Sequence, residues 1–381
     1  MANVSKLLFT TTAPEYFLDN LQLEPNDHLR LKDARRKVRL HLKAVFAVAS
    51  MERFGAAISP RFFTQGSYAY KTINAPAWTP PQQMDMDDGC YLPMSFVKGE
   101  RPSKAAEAFF EVVDAALQEL AATEGWEFAS KPTCARLVLG ADAHIDVPLY
   151  AIPDGEFRRL EEAKMLKRAD SAALQASDSK DRWDALPSDC VLLAHREKDW
   201  VASDPRKIHD WFTGAVGQYG EQLRRVSRYL KAWRDHHHPD LDRLSSIILM
   251  VCAWQAFEEI GGRNVPARDD QALLKVVERL PGYLAGEIEN PTDRTEKLDK
   301  RLGDADRRTA ILKAGEMLTG LVAVEKEADA VAAVRSMQTL FGERVPDRPD
   351  LVSIAEAAAT VVRSHPPKTV AAPTVGRSQS G

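Results

Sequence analysis

The chain predicts an α+β protein, and three observations carry that prediction. Short segments of alternating polarity between residues 61 and 151 read as strands of a mixed sheet. Apolar residues at helical spacing dominate before and after them. At 381 residues with 44% hydrophobic content, the chain can fill two cores, so two lobes with a cleft between them are expected.

Residues 1–25 form an N-terminal segment without clear periodicity. Asn26 or Asp27 can cap a first long helix running through about Met51, open to spanning both lobes. Arg35, Arg36, Lys37, Arg39 and Lys43 on it read mainly as a solvated basic face, with one or two available to a triphosphate or an allosteric ligand. Next comes Thr64-Gln-Gly-Ser-Tyr-Ala-Tyr70, where an apolar Phe62-Phe63 pair leads into a glycine-serine turn that opens a short helix at Ser67. Backbone N–H groups and a serine hydroxyl at such a turn suit a polyphosphate, although an ordinary N-cap accounts for the motif taken alone.

Met84-Asp-Met-Asp-Asp88-Gly89 is the most informative stretch. Asp85 and Asp87, two apart on an extended segment, project to the same side of a sheet while Met84 and Met86 face the core. Ser103–Thr123 reads as an amphipathic helix, followed by strands at about 126–130, 134–140 and 143–151, with Gly140-Ala-Asp142 turning between the last two. In the last strand Ile145, Val147 and Leu149 alternate with His144 and Asp146. Three carboxylates on one sheet face repel unless divalent cations neutralise them. Oxygen ligands of this kind suit Mg²⁺, with Mn²⁺ as the alternative, and two such ions clamp an in-line nucleotidyl displacement. An acidic loop explains D-x-D alone; the ordered set of Gly-Ser, D-x-D and a later strand aspartate is far more specific. Arg136 falls on the face opposite Ala135, Leu137 and Leu139, where it can reach either triphosphate oxygens or one of the aspartates.

Residues 154–205 lack clear periodicity. A helix over about 218–237 buries Tyr219, Leu223, Val226, Leu230 and Trp233, with Arg224, Ser227 and Lys231 as a polar stripe on its flank. Ser245-Ser246 caps the next, buried helix. His236-His237-His238 reads as a polar helix end, because adjacent histidines diverge and Pro239 stops the segment. Further helices are expected at about 268–280, 306–324, 326–341 and 349–363, with Asn290-Pro-Thr-Asp293 in a loop.

The motifs Gln65-Gly-Ser67, Met84-Asp-Met-Asp-Asp-Gly89, Cys134-Ala-Arg136, His144-Ile-Asp-Val-Pro-Leu-Tyr-Ala-Ile-Pro153 and Leu230-Lys-Ala-Trp-Arg-Asp235 resemble those of cGAS/DncV-like nucleotidyltransferases. The resemblance runs from about residue 28 to 365 and is nearest to the bacterial cyclic GMP-AMP synthases of anti-phage signalling. It implies a polymerase-beta-type nucleotidyltransferase lobe over 26–205, a helical lobe over 206–364, and a cyclic dinucleotide made from ATP and GTP that acts on a downstream effector. It implies that Asp85, Asp87 and Asp146 hold two Mg²⁺ ions. Nucleotide contacts are implied for Gln65, Gly66, Ser67, Arg136, Lys231 and one of Ser245 or Ser246, with Asp293 as the base reader. Tyr68 and Tyr150 are candidates for base stacking. Only about ten residues join Met51 to the Gly-Ser motif, where some relatives carry a longer insertion. Relatives also end in a glycine through which a ubiquitin-transfer-like E1/E2 partner attaches them to other molecules, a role that falls here to Gly381.

Bulk properties narrow the alternatives. The net charge of −4 does not suggest a general nucleic-acid coat protein. Four scattered cysteines fit free thiols in a reducing cytoplasm better than disulfides or zinc. The longest apolar run, Ile247 to Phe257, is too short for a membrane span of about twenty residues, and no signal peptide is visible. From His365 onward the Pro/Ser/Thr/Ala-rich chain reads as a disordered tail. The competing functions are a transferase acting on RNA, protein or antibiotic, and a non-catalytic nucleotide or RNA sensor. Loss of a metal carboxylate would mark the sensor, and all three are present.

Overall fold

In the computed structural model, residues 1–54, 58–94, 102–160 and 190–355 are described. The first lobe is built on strands β1 (Arg61–Gln65), β2 (Met84–Pro93), β3 (Glu127–Ser130), β4 (Cys134–Gly140), β5 (Ala143–Ile152), β6 (Leu192–His195) and β7 (Asp199–Ala202). They form one mixed sheet in the order β1-β2-β5-β4-β3, with β6 on the far end of β5 and β7 beside β6. The β2–β5 pair is parallel and sets Asp85 opposite His144 and Asp87 opposite Asp146. β4 runs antiparallel to β5 and sets Arg136 opposite Asp146.

Two helices, α1 (Pro25–Phe54) and α2 (Pro102–Glu124), cover the other face of this sheet. Met84, Met86, Ile145, Val147 and Leu149 are buried there against Leu31, Val38, Leu42, Phe109, Val113 and Leu117. With that face filled, the alternate residues at the start of β2 and β5, Asp85, Asp87 and His144, are turned toward the cleft with the second lobe. The basic face of α1 is largely bound to the protein itself. Arg39 forms a bidentate pair with Asp88 (Nε–Oδ2 and Nη2–Oδ1, both 2.6 Å), and Thr64 Oγ1 donates to the same carboxylate at 2.8 Å. Lys37 meets Glu124 at 2.6 Å.

The second lobe packs α3 (Pro205–Tyr219), α4 (Glu221–His236), α5 (Ser246–Ile260) and the helices at 269–277, 304–326 and 330–341 around Trp233, Tyr229 and Phe257. The predicted helix over 218–237 is two helices. Gly220, at φ +82°, separates them, so Tyr219 closes α3 and is only half-buried. The stretch 154–205 contains β6 and β7, which are too short and irregular to show a period. Of the helix expected over 349–363, the described part is a 3₁₀ turn, Pro349–Leu351, followed by Ser353–Ile354, which pairs with Ala2–Asn3, and 356–363 lie outside the described residues. Leu7, Leu8, Phe17 and Leu21 of the N-terminal segment lie in the same helical-lobe core. Residues from 356 on, including the predicted tail and Gly381, lie outside the described residues. Among those described, no helix is long and apolar enough to cross a membrane, and the four cysteines are free thiols.

The buried Asp88 makes one quantitative test of this frame. Arg39→Met leaves its carboxylate without a counter-charge and should cost about 3–5 kcal/mol in urea unfolding, with most of that recovered in Arg39→Met/Asp88→Leu. A single variant as stable as the wild type would contradict the assignment.

Candidate active site

The acidic face of the sheet forms one wall of a cleft of about 760 Å³ between the lobes. Gly66, Ser67, Asp85, Asp87 and Arg136 line it on the sheet side, and Lys231, Arg234, Ser246 and Asp293 on the helical side. Asp85 and Asp87 are partly exposed while Met84 and Met86 are buried, as the alternation requires. Asp146 lies just behind them at 8% exposure.

Gly66 explains how the turn and the acidic strand come together. An added Cβ there would lie 1.9 Å from Asp87 Oδ2, and the residue sits at φ +69°. Only glycine fits both conditions, so the Asp87 carboxylate rests directly on the Gly-Ser turn. Burial is the main cause that pushes the Asp87 carboxyl well above the usual carboxylate range; Asp85 and Asp146 add to it and Arg136 opposes it. The expected crowding of like charges is therefore present.

Arg136 grips Asp146 through Nε–Oδ1 (2.6 Å) and Nη2–Oδ2 (2.7 Å). Of its two open readings, the ion pair is the one seen, with the guanidinium still on the cleft wall. Lys231 is buried and donates to the Thr72 carbonyl at 2.5 Å. Burial, with Arg234 nearby, pushes its amine down to about 7. Its stripe does not face solvent. Arg224 donates to Tyr70 O, Arg228 to Asn74 Oδ1, and Ser227 is buried and donates to Leu223 O. This clasp fixes residues 70–74, just after the Gly-Ser turn, onto α4.

Several expected contacts are elsewhere. Gln65 is buried with its amide donating to Tyr150 Oη at 2.9 Å, away from the cleft. Tyr150 stacks on Tyr91 at 4.6 Å inside a small apolar cluster, so it does not face a base; Tyr68 packs edge-on against His28. Ser245 holds the N-cap position of α5 without a side-chain cap bond, its Oγ buried and unpartnered. Ser246 is the serine in the cleft, accepting from Arg234 Nη1 at 2.8 Å. Asp293 opens a short strand at the cleft mouth and accepts from Thr295. Sequence reasoning assigned no role to Arg234, although it lies in the quoted Leu230–Asp235 string, nor to His144, whose ring joins Asp85 and Asp146 in a group with ligand atoms within 4.8 Å of one another. The charge and mutual spacing of these donors fit a divalent cation.

A mixed sheet bearing this carboxylate cluster beside a Gly-Ser turn, facing a helical lobe, defines a nucleotidyltransferase. Residues 60–150 match the family described as Cyclic GMP-AMP synthase DncV-like, nucleotidyltransferase domain, and residues 220–354 match the Cyclic GMP-AMP synthase, C-terminal domain. The chain is 34% identical to a cyclic GMP-AMP synthase of Vibrio cholerae over 316 residues, spanning 79% of this chain and 71% of that protein. It is 35% identical to one from Escherichia coli over 328 residues, spanning 81% and 73%. The Vibrio cholerae DncV structure in complex with the linear intermediate 5' pppA(3',5')pG superposes with a TM-score of 0.76 at 27% identity, over 93% of this chain and 99% of that one. A further DncV structure, in complex with ATP, GTP and 5MTHFGLU2, also gives 0.76 at 27% identity, over 93% and 100%. The chain belongs to the DncV-like family of cyclic GMP-AMP synthase nucleotidyltransferases.

The raised Asp87 carboxyl has a testable sign. Its folded pKa lies above its unfolded one, so the native state binds the extra proton between the two, and stability is lost as pH rises through the folded value. Asp87→Asn should therefore raise the Tm of the metal-free protein at pH 7.5, with the gain shrinking toward pH 4. A loss of stability at pH 7.5 would show that the carboxylate is not crowded.

Proposed function

We propose that the protein joins one ATP and one GTP into 3',3'-cyclic GMP-AMP at this cleft. The observation that carries the reading is the convergence of Asp85, Asp87 and Asp146 beside Gly66-Ser67, across the cleft from Lys231. Asp85 and Asp87 would hold one Mg²⁺ and all three carboxylates a second. Bound there, the metal, Mg²⁺ or Mn²⁺, supplies charge neutralisation at the phosphates and an acidified ribose hydroxyl. Ser67 donates its hydroxyl to the triphosphate. Arg136 keeps Asp146 aimed, because its guanidinium takes both carboxylate oxygens. Lys231, held largely neutral near pH 8 by burial, regains its proton when anionic phosphates enter. Ser246 and Arg234 continue the phosphate side, and Asp293 stands where a base would reach the cleft mouth. Two successive transfers at one centre make the linear and then the cyclic product. In each, a ribose 3'-hydroxyl gives up its proton and its oxygen bonds the α-phosphorus of the other nucleotide, while the bond from that phosphorus to the β-phosphate oxygen breaks and pyrophosphate leaves. The relatives' names and the bound linear intermediate in a structural neighbour support this order.

The same family membership supports a role in anti-phage signalling, with the product acting on a downstream effector. It also supports attachment of the protein through Gly381 by a ubiquitin-transfer-like partner. Deleting Gly381 should abolish higher-mass adducts in cells while leaving purified synthesis intact.

Purified protein with Mg²⁺ should give a phosphatase-resistant cyclic product from ATP plus GTP, and Asp146→Asn should give none. Ser67→Ala should slow the reaction at limiting nucleotide by the equivalent of about 1.5–3 kcal/mol. Calorimetry at pH 8 in two buffers of different ionisation enthalpy should show proton uptake on ATP binding, lost in Lys231→Met. Synthesis by Asp146→Asn, or a preference for a polymer substrate, would overturn the reading.

A further inference from the structure

The proposed reaction makes no use of His144. This ring is 7% exposed and stands on the acidic face of β5, opposite Asp85 in the parallel pairing. Its Nδ1 lies 2.9 Å from Gln83 Oε1. The Gln83 amide is fixed from its other end, where Nε2 donates to the carbonyls of Gly140 (3.1 Å) and Ala141 (3.3 Å). Two carbonyl oxygens can be met only by an NH₂ group, so the amide oxygen must face the imidazole, and it can only accept. Nδ1 therefore carries the proton, and in the neutral ring the lone pair is left on Nε2.

That lone pair faces a carboxylate. Nε2 is 3.0 Å from Asp85 Oδ1, yet both atoms are buried without a hydrogen-bond partner. Two electron pairs at this distance repel, and a cation shared between them removes the repulsion. His144, Asp85 and Asp146 each offer one ligand atom, and the three lie within 4.8 Å of one another.

We propose that His144 Nε2 is a metal ligand beside Asp85 and Asp146, with Gln83 as the outer partner that fixes the tautomer. A ligating histidine that donates its second N–H to a carbonyl-type oxygen is the usual arrangement at metal centres. The nitrogen donor biases the centre toward Mn²⁺ over Mg²⁺, because Mg²⁺ takes oxygen ligands and imidazole suits transition metals better. This inference rests on the metal reading of the aspartate cluster, and the two fail separately in the test below. Among the described residues, the ligand group contains no other histidine.

The test is pulsed EPR on full-length protein loaded with Mn²⁺ and a non-hydrolysable ATP analogue, with natural-abundance or ¹⁵N-labelled histidine. The expected result is a coupling from a directly bound imidazole nitrogen that changes with the isotope and disappears in His144→Gln. Gln83→Leu, which alters only the outer partner, should weaken Mn²⁺ binding by about tenfold and Mg²⁺ binding less. If His144→Gln does not fold, the isotope effect in the wild type and the Gln83→Leu titration still decide. Mn²⁺ that binds at the aspartates without nitrogen coupling overturns the histidine ligand and leaves the aspartate reading standing; it would mark His144 as an imidazolium paired with Asp85. Failure to bind Mn²⁺ at all overturns both.

Discussion

Repulsion among Asp85, Asp87 and Asp146 is the constraint from which the rest of the active lobe follows. Helices α1 and α2 fill the opposite sheet face, so Asp85, Asp87 and His144, the side chains at the start of β2 and β5 that do not pack there, face the cleft. Arg136 answers Asp146, and Arg39 answers the neighbouring Asp88, which points the other way. Asp87 rests on Gly66, where burial and its acidic neighbours, only partly opposed by Arg136, drive it toward protonation. A site built this way is poised for cations: Arg136 fixes Asp146, and Asp87 rests against the Gly66 backbone, before a metal arrives.

The second lobe is tied to this face at the point where the chemistry needs precision. Residues 70–74 leave the Gly-Ser turn and are held on α4 by Arg224, Arg228 and Lys231. Gln82 and Trp78, just before the acidic strand, donate to the carbonyls of Asp235 and His236 at the end of the same helix. One helix therefore sets both flanks of the loop between the phosphate turn and the D-x-D strand. The cost is a buried lysine amine pushed down to about 7.

Much of this was legible from periodicity. Met84 and Met86 alternating with Asp85 and Asp87, and Ile145, Val147 and Leu149 with Asp146, identify the buried face of each strand, and the structure keeps both patterns. What periodicity hides is long-range pairing. Tyr150 shares its parity with Asp146, yet Phe157, Leu160 and Val191 close over that end of β5 and take it into a core. Gln65 follows Tyr150 for the same reason. The N-terminal segment has no period because it packs as single turns and a two-residue strand, whose partner lies some 350 residues away. His144 was visible on the acidic face, but its tautomer depends on Gln83 and on the turn carbonyls of Gly140 and Ala141, which only the fold brings together.

The central claim is that cations, bound together with triphosphate, relieve a repulsion built into the sheet. Its most direct measurement is the unfolding free energy of the catalytically idle protein, with a non-hydrolysable ATP analogue, as a function of Mg²⁺ concentration at constant ionic strength. Stability should rise with the logarithm of free Mg²⁺ once the site begins to fill, by about 1.4 kcal/mol per tenfold increase for each ion bound. Asp87→Asn should flatten that slope while starting from a higher metal-free value. A slope of zero in the wild type, or an equal slope in the variant, would contradict the account.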